Sequence, residues 1–544
     1  MNLPLLDVIV IIAYVAGTVL FGCWFVRRSR TTDGFTRAGG RIPMVVVGLS
    51  IFGAFVSSIS FLAIPGKAFM SNWNSYVLSF TLLPATLIAA KWFIPFYRNH
   101  GIVSTYAHLE DRFGTWARVY ATLCYMITQI ARMGAVMFLM ALPLNALLGW
   151  DIVKIVVVTG ILTTFYSMLG GIEGVVWTDA LQSLILILGT FVCSAVLIFG
   201  MPEGPTQLFR IAAENHKFSL GSFGTSLSEP TFWVVLIYGM AINLQNFGVD
   251  QNFVQRYLTA KSEKDAKKSL WLNAWLYLVV SAFFFFIGTA LFAYYTSQPD
   301  LLPQGMWDKI AAGKEGDRVF PFFIIHQLPA GVTGLLIAAI FSAAMSTIST
   351  SLNGCATLTL TDFYKRFWRP GATPREEMTV LYVSTFIWGI LGIGGALWFM
   401  RARQALDAWW AIQGILGGGM LGLFLLGFFT KETKNTAAVL AVVCGFLVIL
   451  WMSVSLPNFN LLPKSLEEFR SPFHEFLIPV FGTAAIFVAG FCSPCCFAGR
   501  NQVVTKHLHL EKRQIIKMTI LKPQARPGLS HADLFDTNVS HEGI

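Results

Sequence analysis

The sequence has little charge for its length. Asp, Glu, Lys and Arg make up only 12% of its 544 residues, while hydrophobic residues make up 55%. A soluble domain usually carries about 25% charged residues, so this composition excludes a soluble multidomain enzyme, whose water-facing surface needs more charge. The 47 Phe and 16 Trp exclude a disordered chain, because disordered segments contain few aromatic residues.

The sequence also lacks the features of a cleaved secretory leader. A signal peptide has a basic start and a cleavage site of small residues. Here no Lys or Arg precedes residue 27, and Asp7 stands at the start of the first apolar run. Arg27 and Arg28 follow that run. We therefore interpret the run as a first membrane-spanning helix that stays in the protein.

Long apolar segments fill most of the chain. A transmembrane helix needs about 20 mostly apolar residues, and thirteen segments meet this requirement. Their approximate bounds are 5–25, 43–70, 75–97, 118–148, 151–169, 176–200, 230–253, 270–295, 329–361, 379–400, 408–429, 435–455 and 475–497. We expect an all-α polytopic membrane protein with one transmembrane domain over residues 1–499 and a cytoplasmic tail over residues 500–544.

The net charge of +10 is compatible with nucleic-acid binding or with membrane topology. If the N-terminus lies outside, 26 of the 39 Lys and Arg residues fall in inward-facing segments and 11 in outward-facing ones. Lys and Arg collect in the cytoplasmic loops of membrane proteins, and an N-out, C-in chain needs an odd number of spans. The pattern therefore predicts this orientation in the cell membrane and no nucleic-acid partner. It indicates no protein partner.

Residues suited to enzymatic chemistry are scarce within the spans. None of the nine His residues is predicted mid-span beside a carboxylate, so we do not expect an enzyme. A sensor is also disfavoured, because only the tail follows residue 500.

Cys492, Cys495 and Cys496 close the last apolar run. Such a cluster can bind a metal or cycle between redox states, but it lacks an obvious fourth ligand, and we favour a cluster with no catalytic role.

Polar residues interrupt the second span. Ser57, Ser58 and Ser60 precede Pro65. Serines compete for backbone hydrogen bonds and proline removes a donor, so the composition is that of a helix broken near the middle of the membrane. Unwound carbonyls at such a break can coordinate a cation. The alternative is a kinked, continuous helix whose serines pack against neighbouring helices.

The ninth span carries many hydroxyl groups. Ser346, Ser349, Thr350 and Asn353 fall at positions i, i+3, i+4 and i+7, so they share one helical face. Hard cations such as Ca²⁺ take oxygen ligands. A monovalent ion such as Na⁺ needs little formal ligand charge, so hydroxyls and carbonyls suit it. The face is therefore a candidate sodium site.

Two charged residues lie at membrane depth. Asp179 lies about two turns into the sixth span, too deep for simple helix capping, so we expect it to contact a cation or to accept a structural hydrogen bond. Arg132 lies mid-span with no acidic residue within a helical turn. A guanidinium group binds a carboxylate through two parallel hydrogen bonds. A solute carboxylate is the favoured partner of Arg132, and an ion pair with Asp179 or Asp250 is the alternative.

The seventh span repeats the polar character of the second. It contains Asn243 and Gln245 ahead of Asp250, and it comes five spans after the second. This offset is expected of two inverted five-helix repeats that each begin with a discontinuous helix. We place the two repeats at approximately 43–200 and 230–429.

Two motifs in the sequence resemble those of a known family. One is a Gly-Gly turn followed by Trp-Thr-Asp-x-x-Gln, formed by Gly170, Gly171, Trp177, Thr178, Asp179 and Gln182. The other is the hydroxyl-rich segment 343–349. Together they resemble the sodium/solute symporter family over about residues 5–450. Within that family, segments 37–43, 57–68 and 171–175 resemble the bacterial sialic acid transporters.

The resemblance implies a ten-helix core of inverted repeats, three added helices and alternating access driven by one or two sodium ions. By position it implies a first sodium ion on carbonyl oxygens of Gly53, Val56 and Ala343 and on hydroxyls of Ser346 and Thr347. It implies a second sodium ion on Asp179, Ser346, Ser349 and Thr350.

The resemblance also places a solute carboxylate at Arg132. The other candidate substrate-binding residues are Ser57, Ser58, Ser60, Ser75, Ser79, Asn243 and Gln245. Ser75 replaces a bulky aromatic residue of the sialic acid branch, and Ser79 replaces a glutamine. The predicted function is Na⁺-coupled import of a small carboxylate-bearing solute, with sialic acid (N-acetylneuraminate) favoured. A monocarboxylate, a sugar or an amino acid is the alternative solute.

Overall fold

Helices make up most of the described chain, as a chain that crosses hydrocarbon requires, because a helix satisfies its backbone hydrogen bonds internally. A computed structural model describes residues 4–101, 103–311, 316–401, 405–430, 433–456 and 464–492. Within these ranges the only strand-like pairing is a single bridge between Ile42 and Ala260. The expected all-α class is confirmed.

Twenty-one α-helices follow one another along the described chain. The first ten are α1 (Leu5–Trp24), α2 (Thr32–Arg37), α3 (Met44–Phe55), α4 (Ser58–Met70), α5 (Val77–Phe80), α6 (Leu82–Ile88), α7 (Ile94–His100), α8 (Ala107–Phe113), α9 (Thr115–Leu148) and α10 (Ile152–Phe199). The others are α11 (Pro205–Glu214), α12 (Phe232–Gly248), α13 (Gln251–Thr259), α14 (Glu263–Ser297), α15 (Gln304–Ala311), α16 (Val319–His326), α17 (Val332–Leu358), α18 (Pro374–Phe399), α19 (Ala405–Phe429), α20 (Asn435–Val454) and α21 (Ile478–Cys492).

The number of membrane crossings depends on how bent helices are counted. Ten described helices are long and apolar enough to cross a membrane, and two bent pairs raise the number to twelve. α10 has 48 residues, which is about 72 Å at 1.5 Å per residue and more than twice the ~30 Å hydrocarbon core. If α10 crosses the membrane twice, the twelve spans become the thirteen that the sequence predicts. That count and the N-out orientation stay predictions.

α10 joins two helices across a kink at Gly171, whose φ of 54° and ψ of −159° are open only to glycine. The kink packs tightly, because a Cβ on Gly171 would lie 3.0 Å from the Cα of Phe35 and 3.1 Å from the Cβ of Ser29. Ser29 donates a hydrogen bond to the carbonyl of Gly170 at 2.5 Å. Just after the kink, buried Glu173 pairs with Arg41 at 2.6 Å. These contacts fix the turn between the two halves of α10.

The second span is broken, as the sequence predicts. α3 and α4 meet at an angle of 54°, because Val56 and Ser57 leave the helix in extended conformations. The break precedes Pro65, which lies inside α4. The polar segment around Ser57 therefore marks the break, whereas the proline does not end the helix.

The seventh span is broken in the same way. α12 and α13 meet at 48°, and Val249 and Asp250 stand between them. The side chain of Asp250 accepts a hydrogen bond from the amide of Asn252 at 2.8 Å, which caps the start of α13. The two discontinuous helices of the predicted inverted repeats are therefore present.

A buried lysine holds the end of α4. The ammonium group of Lys217, in the segment after α11, donates to the carbonyls of Phe69 at 2.6 Å and Ser71 at 3.0 Å. It also lies 3.8 Å from the ring centroid of Phe292. Burial lowers the pKa of Lys217 to about 8. A cation at this position satisfies the carbonyls that a helix C-terminus leaves open.

The described residues belong to one unit, Met1–Ser493. The predicted boundary between residues 499 and 500, and the predicted tail, lie outside the described residues and stay predictions. Cys492 is exposed at the end of α21. Cys495 and Cys496 also lie outside the described residues.

We expect Gly171→Ala to destabilise the protein by about 1–3 kcal/mol, because alanine pays the cost of this sparsely populated backbone conformation. The measurement is the unfolding temperature of the purified protein in detergent. Gly394→Ala is the matched control, since a Cβ there meets no atom within 4 Å. Equal unfolding temperatures for the two variants would contradict the role of Gly171.

Candidate functional site

A cavity lies beside both helix breaks. Its lining includes Phe55, Ser57 and Ser60 from the first break and Asp250 and Phe253 from the second. The other lining residues are Ala63, Ile64, Lys67, Ser75, Leu78, Ser79, Tyr125, Thr128, Gln129, Arg132, Tyr238, Ile242, Gln245, Asn246, Tyr277, Phe285, Trp409, Gln413 and Met420. Aromatic residues and polar or charged residues therefore share the walls, and the polar groups can fix the orientation of a bound small molecule.

Arg132 of α9 contributes a guanidinium group to this cavity. Its Nη2 donates to the carbonyl of Ala54 at 2.6 Å. That carbonyl belongs to the last turn of α3, where a helix leaves carbonyls without amide partners. In the described part of the chain Arg132 forms no ion pair, so donors of the guanidinium fork are open to an anion.

The two acidic residues considered as partners of Arg132 lie in different places. Asp179 is fully buried and pairs with Arg256 at 2.6 Å, so it is not the partner of Arg132. Asp250 lines the same cavity as Arg132 and interacts with it through charge, without a direct ion pair. The cavity therefore presents both a cation and an anion.

Most of the predicted substrate-binding residues line this cavity. They are Arg132, Ser57, Ser60, Ser75, Ser79 and Gln245. Two of the predicted residues point elsewhere. Ser58 donates to the carbonyl of Val136 at 3.1 Å, and Asn243 donates to the hydroxyl of Thr81 at 2.9 Å. Both hold helices together outside the cavity lining.

The residues predicted for the first sodium ion meet where α3 packs against α17. A Cβ on Gly53 would lie only 3.1 Å from the Oγ of Ser346, so the end of α3 and the middle of α17 are in close contact. Val56 leaves the helix with φ −87° and ψ 119°, which turns its carbonyl out of the helical pattern. Thr347 donates to the carbonyl of Ala343 at 3.0 Å. These carbonyl and hydroxyl oxygens suit a monovalent cation.

The residues predicted for the second sodium ion surround Asp179. One carboxylate oxygen of Asp179 accepts from Ser346 at 2.7 Å, and the other accepts from Ser50 at 2.8 Å. Ser349 donates to the carbonyl of Ser346 at 3.1 Å. Thr350 joins the same network through Arg256, whose Nη2 donates to its hydroxyl at 2.6 Å. The four predicted residues are brought together, but a cation of the protein already lies among them.

Sequence reasoning missed Arg256 as part of this site. The predicted seventh span ends at about residue 253, so Arg256 is expected in the inward-facing loop that follows. α13 extends to Thr259, and the whole of it is buried. The signal that identifies Arg256 is therefore the length of the helix that follows the second break.

Comparison with known proteins identifies the family. A model of the sodium:solute symporter family matches residues 35–445. The chain belongs to the sodium:solute symporter family. It is thus a multi-pass integral membrane protein, and sodium is its coupling ion.

Three similar proteins are informative. The sodium/sialic acid symporter of Proteus mirabilis (strain HI4320) is 33% identical over 497 residues, which cover 91% of this chain and 96% of that protein. The sodium/sialic acid symporter of Aliivibrio fischeri (strain ATCC 700601 / ES114) is 34% identical over 450 residues, which cover 82% of this chain and 87% of that protein. A solved structure of a Na⁺-coupled sialic acid symporter, substrate-bound and outward-open, has a TM-score of 0.83 and 32% identity, covering 92% of this chain and 100% of that chain.

We expect Ser346→Ala to raise the half-maximal sodium concentration for thermal stabilisation about tenfold, because one lost ligand is worth roughly 1.4 kcal/mol. The measurement is the unfolding temperature across a sodium titration at constant ionic strength. Ser342→Ala is the matched control one turn earlier, where the hydroxyl donates to the carbonyl of Ala338 at 2.8 Å. Identical titrations for the two variants would remove Ser346 from the sodium ligands.

Proposed function

We propose that the protein is a Na⁺-coupled symporter that imports a carboxylate-bearing solute, with sialic acid as the favoured solute, by alternating access. The observation that carries the solute chemistry is Arg132. Its guanidinium faces a cavity at membrane depth and forms no direct ion pair in the described residues, although Asp250 lines the same cavity. A cation without a direct partner is costly at that depth. A bound carboxylate removes that cost.

The rest of the cavity supports a solute that is both polar and bulky. Ser57, Ser60 and Ser75 supply hydroxyl groups that exchange hydrogen bonds with the hydroxyls of a sugar acid. Phe253 and Tyr277 supply apolar faces. The two similar bacterial proteins that carry the name sodium/sialic acid symporter support the same solute.

The geometry also indicates how sodium assists solute binding. A sodium ion at the first predicted position would join the carbonyl end of α3 to the hydroxyls of α17 and so order the break at Val56. Arg132 donates a hydrogen bond to the carbonyl of Ala54 in the same last turn of α3. Ordering the break therefore also holds the guanidinium in place for the solute. By linkage, bound solute raises sodium affinity by the same factor.

We expect proteoliposomes that contain the protein to take up labelled sialic acid along an inward sodium gradient. Replacing Na⁺ with choline should abolish uptake, since the gradient is the driving force. Equal uptake in choline would contradict sodium coupling. Sodium-dependent uptake of a simple monocarboxylate, with none of sialic acid, would reassign the solute and leave the coupling intact.

We expect Arg132→Gln to weaken solute binding roughly 100-fold, because two charge-assisted hydrogen bonds are lost at about 1.5–3 kcal/mol each, part of which the glutamine regains. The measurement is solute affinity by titration calorimetry at saturating sodium. Arg210→Gln is the matched control, because Arg210 pairs with Glu203 on the surface. Unchanged affinity in Arg132→Gln would contradict the carboxylate assignment.

A further inference from the structure

Arg256 is one of the most deeply buried side chains in the described chain, with only 1% of its surface exposed. Each of its nitrogen atoms donates a hydrogen bond. Nε donates to Ser50 at 2.8 Å, Nη1 to the carbonyl of Asn252 at 2.7 Å, and Nη2 to both Asp179 and Thr350 at 2.6 Å. The guanidinium is therefore the resident counter-cation of Asp179, which is itself fully buried.

The position of Nη2 conflicts with a sodium ion at the second predicted position. This nitrogen lies 2.6 Å from the carboxylate oxygen of Asp179 that also accepts from Ser50, and 2.6 Å from the hydroxyl of Thr350. A sodium ion coordinated by these two oxygens would need the space between them. The guanidinium and an ion bound in that way exclude each other on volume.

The charges lead to the same conclusion. Asp179 and Arg256 form a neutral pair, and a sodium ion added to that pair would leave a net positive charge in a buried place. An uncompensated buried charge costs several kcal/mol, whereas a sodium ion that replaces the guanidinium leaves Asp179 neutralised as before. Binding at this position is therefore an exchange of one cation for another.

The displaced guanidinium also needs a partner, because it remains buried. It already lies against the carbonyl of Asn252, one turn back along α13. Asp250 caps that end of the helix two residues earlier and interacts through charge with both Arg256 and Arg132. Asp250 is thus the acidic group towards which Arg256 can turn along its own helix.

We propose that a second sodium ion binds Asp179 by displacing Arg256, whose guanidinium then pairs with Asp250. This inference rests on the proposed sodium-coupled transport. It gives α13 a role in coupling, since the helix carries Arg256 at the ion position and is capped by Asp250, which lines the solute cavity. Once Asp250 is neutralised by Arg256, it no longer offsets the charge of Arg132, and the cavity attracts a carboxylate more strongly.

The test is a sodium titration of the purified full-length protein, read as unfolding temperature at constant ionic strength without solute. Arg256→Gln should lower the half-maximal sodium concentration at least tenfold, because sodium no longer competes with the guanidinium. Asp250→Asn should raise it, because the freed guanidinium loses its new partner, while asparagine still caps α13. Arg118→Gln is the matched control. Arg118 pairs with buried Asp362 and with Glu110, away from the proposed sodium ligands, and its substitution should leave the sodium titration unchanged.

An unchanged or raised half-maximal concentration in Arg256→Gln overturns the proposal and makes Arg256 a purely structural partner of Asp179. The double variant Arg256→Gln with Asp179→Asn should lose the gain in affinity, and its persistence would also overturn the proposal. If Arg256→Gln does not fold, Arg256→Lys decides. Lysine offers one nitrogen in place of the three that bond Ser50, Asn252, Asp179 and Thr350, so it holds the site less firmly and the same shift, smaller in size, is expected.

Failure of this inference is distinguishable from failure of the proposed function. Uptake that requires sodium, combined with an unchanged titration in Arg256→Gln, overturns the exchange alone. Uptake that is equal in choline overturns sodium coupling, whereas the titration of the purified variants still decides whether Arg256 competes with sodium.

Discussion

The buried carboxylate of Asp179 is the group on which the packing of the transport core depends. It accepts hydrogen bonds from Ser50 of α3, Arg256 of α13 and Ser346 of α17, so it joins α10 to three other helices. Two of these, α3 and α13, are halves of the broken spans. A buried carboxylate must be neutralised. A change in the counter-cation of Asp179 therefore changes the hydrogen bonds that fix α3 and α13 against α10.

The breaks bring backbone dipoles to the cavity that side chains alone would not supply. α3 ends at Phe55, and its last turn offers a carbonyl to Arg132. Asp250 caps the start of α13, and its carboxylate lines the cavity. The two breaks thus place an anchored cation and an anchored anion within one cavity. A continuous helix at either place would satisfy its own backbone groups and leave nothing for an ion or a solute.

Much of this arrangement was predictable from the sequence. Apolar run lengths predict the spans, the serines around Ser57 predict the first break, and the hydroxyl periodicity of α17 predicts the face that meets Asp179. The direction in which a single side chain points was harder to predict. Ser58, for example, donates a hydrogen bond to the carbonyl of Val136 instead of lining the cavity. Arg256 was missed for a related reason. Hydropathy falls after the break of the seventh span, and a short polar helix buried by its neighbours has the composition of a loop.

The two predicted sodium positions are not independent, because both use Ser346. A hydroxyl has one hydrogen and two lone pairs, and the hydrogen of Ser346 is committed to Asp179. Its lone pairs can then face a sodium ion at the first position. That orientation persists only while Asp179 accepts the hydrogen. A cation that moves onto or away from Asp179 therefore alters a ligand of the first position, and the ion sites are coupled through one hydroxyl group before any helix moves.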